Sequence, residues 1–246
     1  MTLYNLLIAS LLFLAPFGEM NMNASNPQRE PAAQAPLEFL IRAPKQRSGP
    51  APLLLLLHGY GSNAQDIFPL AQQVPDEWIV VAASGPQMQG EGRHAWYDVQ
   101  LVDGKIRIHA PGADHSRKLV LDLIAHLKTA YSVDARRVVV AGFSQGANLA
   151  QSVALSSPET VSAFGVFSGR WVEELRSSIA PQVSNKTTKG FIAHGSRDHM
   201  LPMHHAQENI AQLQAMGLRV TFVEDTTPHI ISQKQFKAFT SWLNQD

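Results

Sequence analysis

The chain has no cysteine in its 246 residues. Disulfide frameworks, thiolate nucleophiles and Cys-ligated metals are therefore excluded, although compartment stays open, because exported proteins can also do without cysteine. There is no charge surplus either: 20 Lys plus Arg against 20 Asp plus Glu give a formal charge of zero. That balance leaves neither the basic footprint of a nucleic-acid binder nor an acidic solvating tail, so no nucleic-acid partner is expected. The N-terminal apolar stretch LYNLLIASLLFLAPF, residues 3–17, is short of the ~20 residues that span a bilayer comfortably. No stable membrane span is expected in the mature chain. Nor is there a fixed-period repeat, which excludes solenoids and propellers.

What is present divides into three parts. Residues 1–25 are compositionally separate and are expected to be a signal peptide directing export to the periplasm or medium. The first basic residue is only Arg29, and Asn23-Ala24-Ser25 is the best small-residue cleavage site. The alternatives are an uncleaved hydrophobic anchor, or a start at Met20 or Met22 that would leave the chain cytoplasmic. Residues 26–36 form a Pro/Ala-rich linker, and residues 37–246 a single domain. Hydrophobic residues make up 45% of the chain, enough for a sizeable core.

Within that domain, apolar runs alternate with amphipathic ones. LEFLIR (37–42) alternates with period two and suits an outer strand. LLLLLH (53–58) is apolar throughout, as for a strand covered on both faces. WIVVAA (78–83), RVVVAG (137–142), AFGVFSG (163–169), GFIAHG (190–195) and RVTFVE (219–224) share its character. Helical spacing appears over 113–131, where Asp114 or Ser116 is placed to cap, and over 204–216 and 233–243. Strands alternating with helices predict an α/β fold: a mostly parallel central sheet with helices on both faces. Sites in such sheets form beyond the carboxyl ends of the strands, which directs attention to the loops after Leu57, Ala83, Ala141, Ile192 and Val223.

The loop after Ala141 holds Gly142-Phe143-Ser144-Gln145-Gly146. Alone this five-residue pattern is weak. Between an apolar strand and the helical QGANLAQSVAL it becomes the setting of a nucleophile elbow, with the hydroxyl exposed at a helix N-terminus. A serine hydroxyl needs a general base. Of the ten histidines, only His229 lies directly after a late apolar strand. An acid to orient it is expected at an earlier strand end, where Asp198 follows Gly195; Asp225 and Glu224 are the competing carboxylates. The order Ser144, Asp198, His229 is that of an α/β-hydrolase. His194 reads as a structural strand-end histidine. His204 and His205 face different ways on a helix and make a poor metal pair, and His115 and His126 read as helix-surface residues. Two backbone amides are needed for the oxyanion: that of Gln145, next to the nucleophile, and that of Tyr60 in the tight HGYGSNAQD loop.

These residues resemble the phospholipase/carboxylesterase family of α/β-hydrolases, which includes acyl-protein thioesterases and small bacterial carboxylesterases. The resemblance rests on LLLLHGYGSN, AWYD (95–98), AGFSQGANLA, FSGR (167–170), HGSRDHMLP and PHIIS, in order from about residue 37 to the end. It implies an α/β-hydrolase fold, a triad of Ser144, Asp198 and His229, and oxyanion donors at Tyr60 and Gln145. It also implies cleavage of carboxylic esters or thioesters, without metal or organic cofactor. Two positions depart from the family: Pro228 stands where Gly usually precedes the histidine, and Ala147 where a second Gly is common. The first fixes one φ and restricts Thr227.

The expected activity is that of a serine carboxylesterase on small-molecule esters of short or medium acyl chain. No lipase-like helical insertion separates Ser144 from His229, which favours an open site. Tyr60, Trp96 and Met200 are the side chains expected at an acyl groove. Alternatives are an acyl-thioesterase, depalmitoylase or lysophospholipase, and an inert binding protein of the same fold. The chain is read as a monomer or homodimer.

Overall fold

A strand that buries both faces needs apolar residues at every position, and the run Ala51–Leu57 shows where they go. In the computed structural model, which describes residues 28–29, 35–44, 49–102, 105–181, 183 and 188–245, this run is strand β3. Leu53, Leu55 and Leu57 point into one apolar cluster; Leu54 and Leu56 point into a second on the opposite face. The period-two alternation of side chains across a sheet thus divides one leucine run between two cores.

The remaining strands in chain order begin with β1 (Gln28–Arg29) and β2 (Phe39–Arg42). After β3 come β4 (Ile79–Ala83), β5 (Gln87–Met88), β6 (His94–Ala95), β7 (Val99–Val102) and β8 (Lys105–Ile108). The last four are β9 (Val133–Phe143), β10 (Ala163–Phe167), β11 (Lys189–Gly195) and β12 (Arg219–Asp225). Eight of them form one sheet in the order β1-β2-β4-β3-β9-β10-β11-β12. From β4 to β12 every neighbouring pair is parallel, while β2 runs antiparallel to β4 and β1 to β2. The tract read as linker therefore contributes a two-residue edge strand. The expected signal segment lies outside the described residues.

The helices are α1 (Ala64–Ile67), α2 (Ala110–Ala130), α3 (Gln145–Ser156), α4 (His204–Ala215) and α5 (Gln233–Leu243). Helices α2, α3 and α4 pack their apolar residues on the face with Leu53 and Val140, whereas α1 and α5 cover the face with Leu54 and Ala141. Among the described residues no helix is long and apolar enough to cross a membrane.

One expected cap is corrected. Helix α2 starts at Ala110, and its cap is His109, whose Nδ1 accepts the Gly112 amide at 3.2 Å. Pro111 suits the first turn, where its missing N–H is not required. Asp114 and Ser116 lie inside the helix: Asp114 pairs with Arg117 and Lys118, and the Ser116 hydroxyl donates to the Trp96 carbonyl. His115 is exposed as expected, whereas His126 is half-buried against Phe39.

Candidate active site

Ser144 stands between β9 and α3 with φ 53° and ψ −112°. A non-glycine residue held there costs about 1–3 kcal/mol and persists only where its surroundings over-determine it. Here they do. The Ser144 amide donates to the Phe167 carbonyl at 2.9 Å, and the Ser144 carbonyl accepts the amides of Ala147 and Asn148. The flanking glycines are dictated by close approach. A Cβ on Gly142 would overlap the Gly146 backbone, and a Cβ on Gly146 would overlap the carbonyls of Leu57 and His58. The elbow is thereby pressed onto the loop after β3.

Asp198 follows β11 and is almost fully buried. Its Oδ1 accepts the amides of Met200 and Leu201 at 2.9 and 2.8 Å, which leaves Oδ2 to accept from His229 Nδ1 at 2.6 Å. Burial pushes this carboxyl up, but the hydrogen bond and charge of His229 and the Leu201 amide outweigh it. The net result lies below the ordinary carboxylate range. His229 Nε2 is 3.0 Å from Ser144 Oγ. Asp198, His229 and Ser144, singled out from sequence, thus stand in one hydrogen-bonded line. The competing acids are elsewhere: Asp225 accepts from the Ser232 hydroxyl at 2.6 Å and lies near Lys234, and Glu224 is exposed.

The loop carrying His229 is tied to the loop carrying Asp198. The amides of Ser196 and Arg197 donate to the carbonyls of Asp225 and Thr227, and Gly195 has no Cβ to meet the Thr227 carbonyl. Pro228 fits this arrangement. It has no amide to satisfy, and its carbonyl accepts from Ile230 at 2.8 Å. The His229 ring lies against Phe143, with centroids 4.8 Å apart.

Gln145 is the first residue of α3, so its amide has no carbonyl within the helix to donate to. Gly59, adjacent to Tyr60, approaches closely enough that a Cβ there would be 3.5 Å from Ser144 Cβ. Both expected oxyanion amides therefore belong to segments that border Ser144. The Tyr60 side chain turns to Gln89, donating at 3.0 Å.

The expected groove residues divide. Trp96 has no exposed surface, and its Nε1 donates to the His58 carbonyl at 2.8 Å. Its ring belongs to the core beneath the loops, and the expectation that it lines an acyl groove is corrected by that burial. Met200 is 44% exposed and lines an open groove of about 580 Å³ together with Leu201, Ile106, Trp171, Arg170 and His205. The rings of His204 and His205, expected to face different ways, instead lie 4.1 Å apart and tilted by 37°. Among the described residues no group of three or more His, Asp and Glu side chains is placed to hold a metal ion.

Two contributions were not read from the sequence. The Gln145 side chain accepts from the Trp96 amide at 2.9 Å and donates to the Tyr97 carbonyl at 2.7 Å, clamping the AWYD segment to the elbow. His58 is buried beneath the loop after β3, its Nε2 accepting from the Gly85 amide at 2.9 Å. Only the coincidence of a polar side chain with an otherwise apolar strand end could have flagged either.

Comparison with known proteins gives a consistent result. The sequence model of a family described as Phospholipase/Carboxylesterase matches residues 39–245. An acyl-protein thioesterase 1 of Eremothecium gossypii is 33% identical over 150 residues, covering 59% of this chain and 57% of that protein. The chain thus spans little more than half the length of that relative. The esterase YpfH of Escherichia coli is 26% identical over 76% of this chain and 79% of its own. The crystal structure of a carboxylesterase from Mesorhizobium loti superposes with a TM-score of 0.76 at 19% identity, covering 90% of this chain and all of that one. At that identity the likeness is one of fold.

Proposed function

The chain belongs to the phospholipase/carboxylesterase family and has its α/β-hydrolase fold, and from that premise we propose that it is a serine carboxylesterase acting through an acyl-enzyme on Ser144. The observation that carries the reading is the hydrogen-bonded line from Asp198 through His229 to Ser144. In it a neutral His229 with hydrogen on Nδ1 donates to Asp198 and leaves Nε2 to take the serine proton. Ser144 Oγ attacks the acyl carbonyl carbon as that proton moves to Nε2, and the amides of Gln145 and Tyr60 hold the oxyanion. The imidazolium then protonates the leaving alcohol, and the ester C–O bond breaks. Water, deprotonated by His229, attacks the acyl-enzyme and releases the acid, returning the proton to Ser144. Asp198 holds the ring in its tautomer and balances its charge.

The substrates proposed are esters of short to medium acyl chain. Among the described residues between β10 and β11 there is only a short 3-10 turn, Glu173–Ser178, and no helical cap covers the line. The groove beside Met200 would take the apolar chain. A second reading, thioester hydrolysis, is favoured by the name of the Eremothecium relative; the same residues would serve, with a thiol leaving.

The test is a panel of p-nitrophenyl esters from acetate to palmitate, with matched thioesters, on the wild type and Ser144→Ala. The expected outcome is hydrolysis peaking between two and eight carbons and lost in the variant. Near-normal turnover by Ser144→Ala would remove the mechanism. Rates rising toward palmitate, or thioesters outrunning oxyesters, would move the assignment to the second reading.

A further inference from the structure

Behind Asp198 stands a second histidine and a second serine that this mechanism does not use. His194, at the end of β11, is fully buried, with Nε2 2.6 Å from the Leu201 carbonyl and 3.6 Å from Asp198 Oδ2. A carbonyl can only accept, so Nε2 carries the hydrogen. In the neutral ring this leaves Nδ1 as an acceptor, and it is buried with no partner among the described residues. Ser168 is 1% exposed, and its hydroxyl is likewise buried and unpaired. Their backbones are neighbours. Phe167 pairs with Ala193 in the parallel ladder, and the Ser168 amide donates to the Ala193 carbonyl at 2.9 Å. Ser168 also has φ 49°, the other positive-φ residue besides Ser144 that is not glycine among those described. A buried hydroxyl that can donate and a buried ring nitrogen that can accept, at the ends of adjoining strands, are complementary, and leaving either unpaired is costly.

Resting on the reading of Asp198, His229 and Ser144 as an ester-hydrolysing line, we propose that His194 is a positioning residue for Asp198 and that Ser168 sets its ring. The Ser168 hydroxyl donates to His194 Nδ1 across one water, since neither atom has a direct partner among the described residues. This holds the Nε2–H on the Leu201 carbonyl and fixes the turn whose amides grip Asp198 Oδ1. The same backbone joins the acid to the nucleophile, since the Phe167 carbonyl receives the Ser144 amide. Ser168 therefore directly follows the residue that holds the elbow and is tied by its own amide to β11.

The experiment compares kcat and KM for a p-nitrophenyl ester in His194→Gln, His194→Asn and Ser168→Gly. A Gln amide nitrogen occupies the place of Nε2 and can still donate to Leu201, whereas an Asn amide stops at the place of Nδ1. The expected result is kcat close to wild type in His194→Gln and reduced about 10- to 100-fold in folded His194→Asn, with KM unchanged in both. Ser168→Gly, which suits the left-handed backbone, should lower kcat in the same direction. Equal kcat in the Gln and Asn variants overturns the positioning role, and wild-type kcat in Ser168→Gly overturns the part given to that serine. Nitrogen NMR on the wild-type chain needs no variant to fold. Nε2-protonated His194 is expected, and the Nδ1-protonated tautomer overturns the proposal. Absence of any ester hydrolysis by the wild type would instead fail the functional reading, while the tautomer would still decide the hydrogen bond.

Discussion

His58 ties its chemistry closely to its burial. Its Nδ1 lies 2.6 Å from the Gly59 carbonyl and must donate, while Nε2 accepts from the Gly85 amide at 2.9 Å. Both nitrogens are satisfied only in the neutral ring. Burial holds its pKa down to about 4, with the Gly59 bond opposing and His94 adding a little. The sign of the consequence follows. Between about 6.5 and about 4 the unfolded chain binds a proton that the folded chain refuses, so stability falls as pH drops through that window. The loss levels off at about 3 kcal/mol once both states are protonated. Urea unfolding of the wild type and His58→Gln from pH 7.5 to 4 should show a steeper decline in the wild type. Equal slopes would remove His58 from the acid sensitivity. Asp198, also held low, adds its loss at more acid pH and does so in both proteins.

Helix α5 shows how an element's start can position a candidate site residue, His229. Its cap, Ser232, lies three residues past His229; Ser232 Oγ accepts the Gln235 amide at 3.1 Å, and Gln235 Oε1 accepts the Ser232 amide at 3.0 Å. The Ser232 hydroxyl hydrogen goes to Asp225, so a single side chain closes both ends of the loop that carries His229. Ser232→Ala should lower unfolding stability by about 1–2 kcal/mol, and Ser232→Thr should restore most of it. A thermal or urea transition unchanged in the Ala variant would mean that α5 is started by its packing alone. The helix read over 233–243 has the bounds of α5, and its cap is visible in the sequence as Ser-x-x-Gln before that apolar pattern, although it was not used. The start of α2 was not legible, because Pro111 and Gly112 look like breakers and His109 is an uncommon cap. Strands β5 to β8 were also missed: at two to four residues each, they are too short to show a period.

At the level of the whole chain, legibility follows the sheet. Of the seven strands read from the sequence, β3, β4, β9, β10 and β11 announced themselves because both faces are covered, which forces their buried runs to be apolar. Strand β2 was read from its alternation, and β12, expected to be covered like them, is an edge strand with no buried residue. The candidate site followed from them because its groups sit at strand ends. What stayed hidden depends on packing across the chain, such as Trp96 turning inward and the Gln145 side chain clamping the AWYD segment. The same division between strand-end site and packed interior gives a last prediction. Phe239 of α5 lies within 5.3 Å of Phe167 and Phe191 and 5.8 Å of Phe236 and Trp242, ring centre to ring centre. Gly165 leaves room for its edge, since a Cβ there would meet the Phe239 ring at 2.8 Å. Phe239→Ala would open a cavity that neighbours held by backbone ladders cannot close, at a cost of about 3–5 kcal/mol. For a chain of this length that corresponds to a fall of about 6–20 °C in the unfolding temperature. Ser144, Asp198 and His229 are held by hydrogen bonds between loop and strand-end backbones, above this cluster. Ester turnover measured well below the new transition should therefore stay near the wild-type value. Loss of turnover in protein that remains folded would mean that the aromatic cluster, through Phe167 and its carbonyl, sets the geometry of the elbow itself.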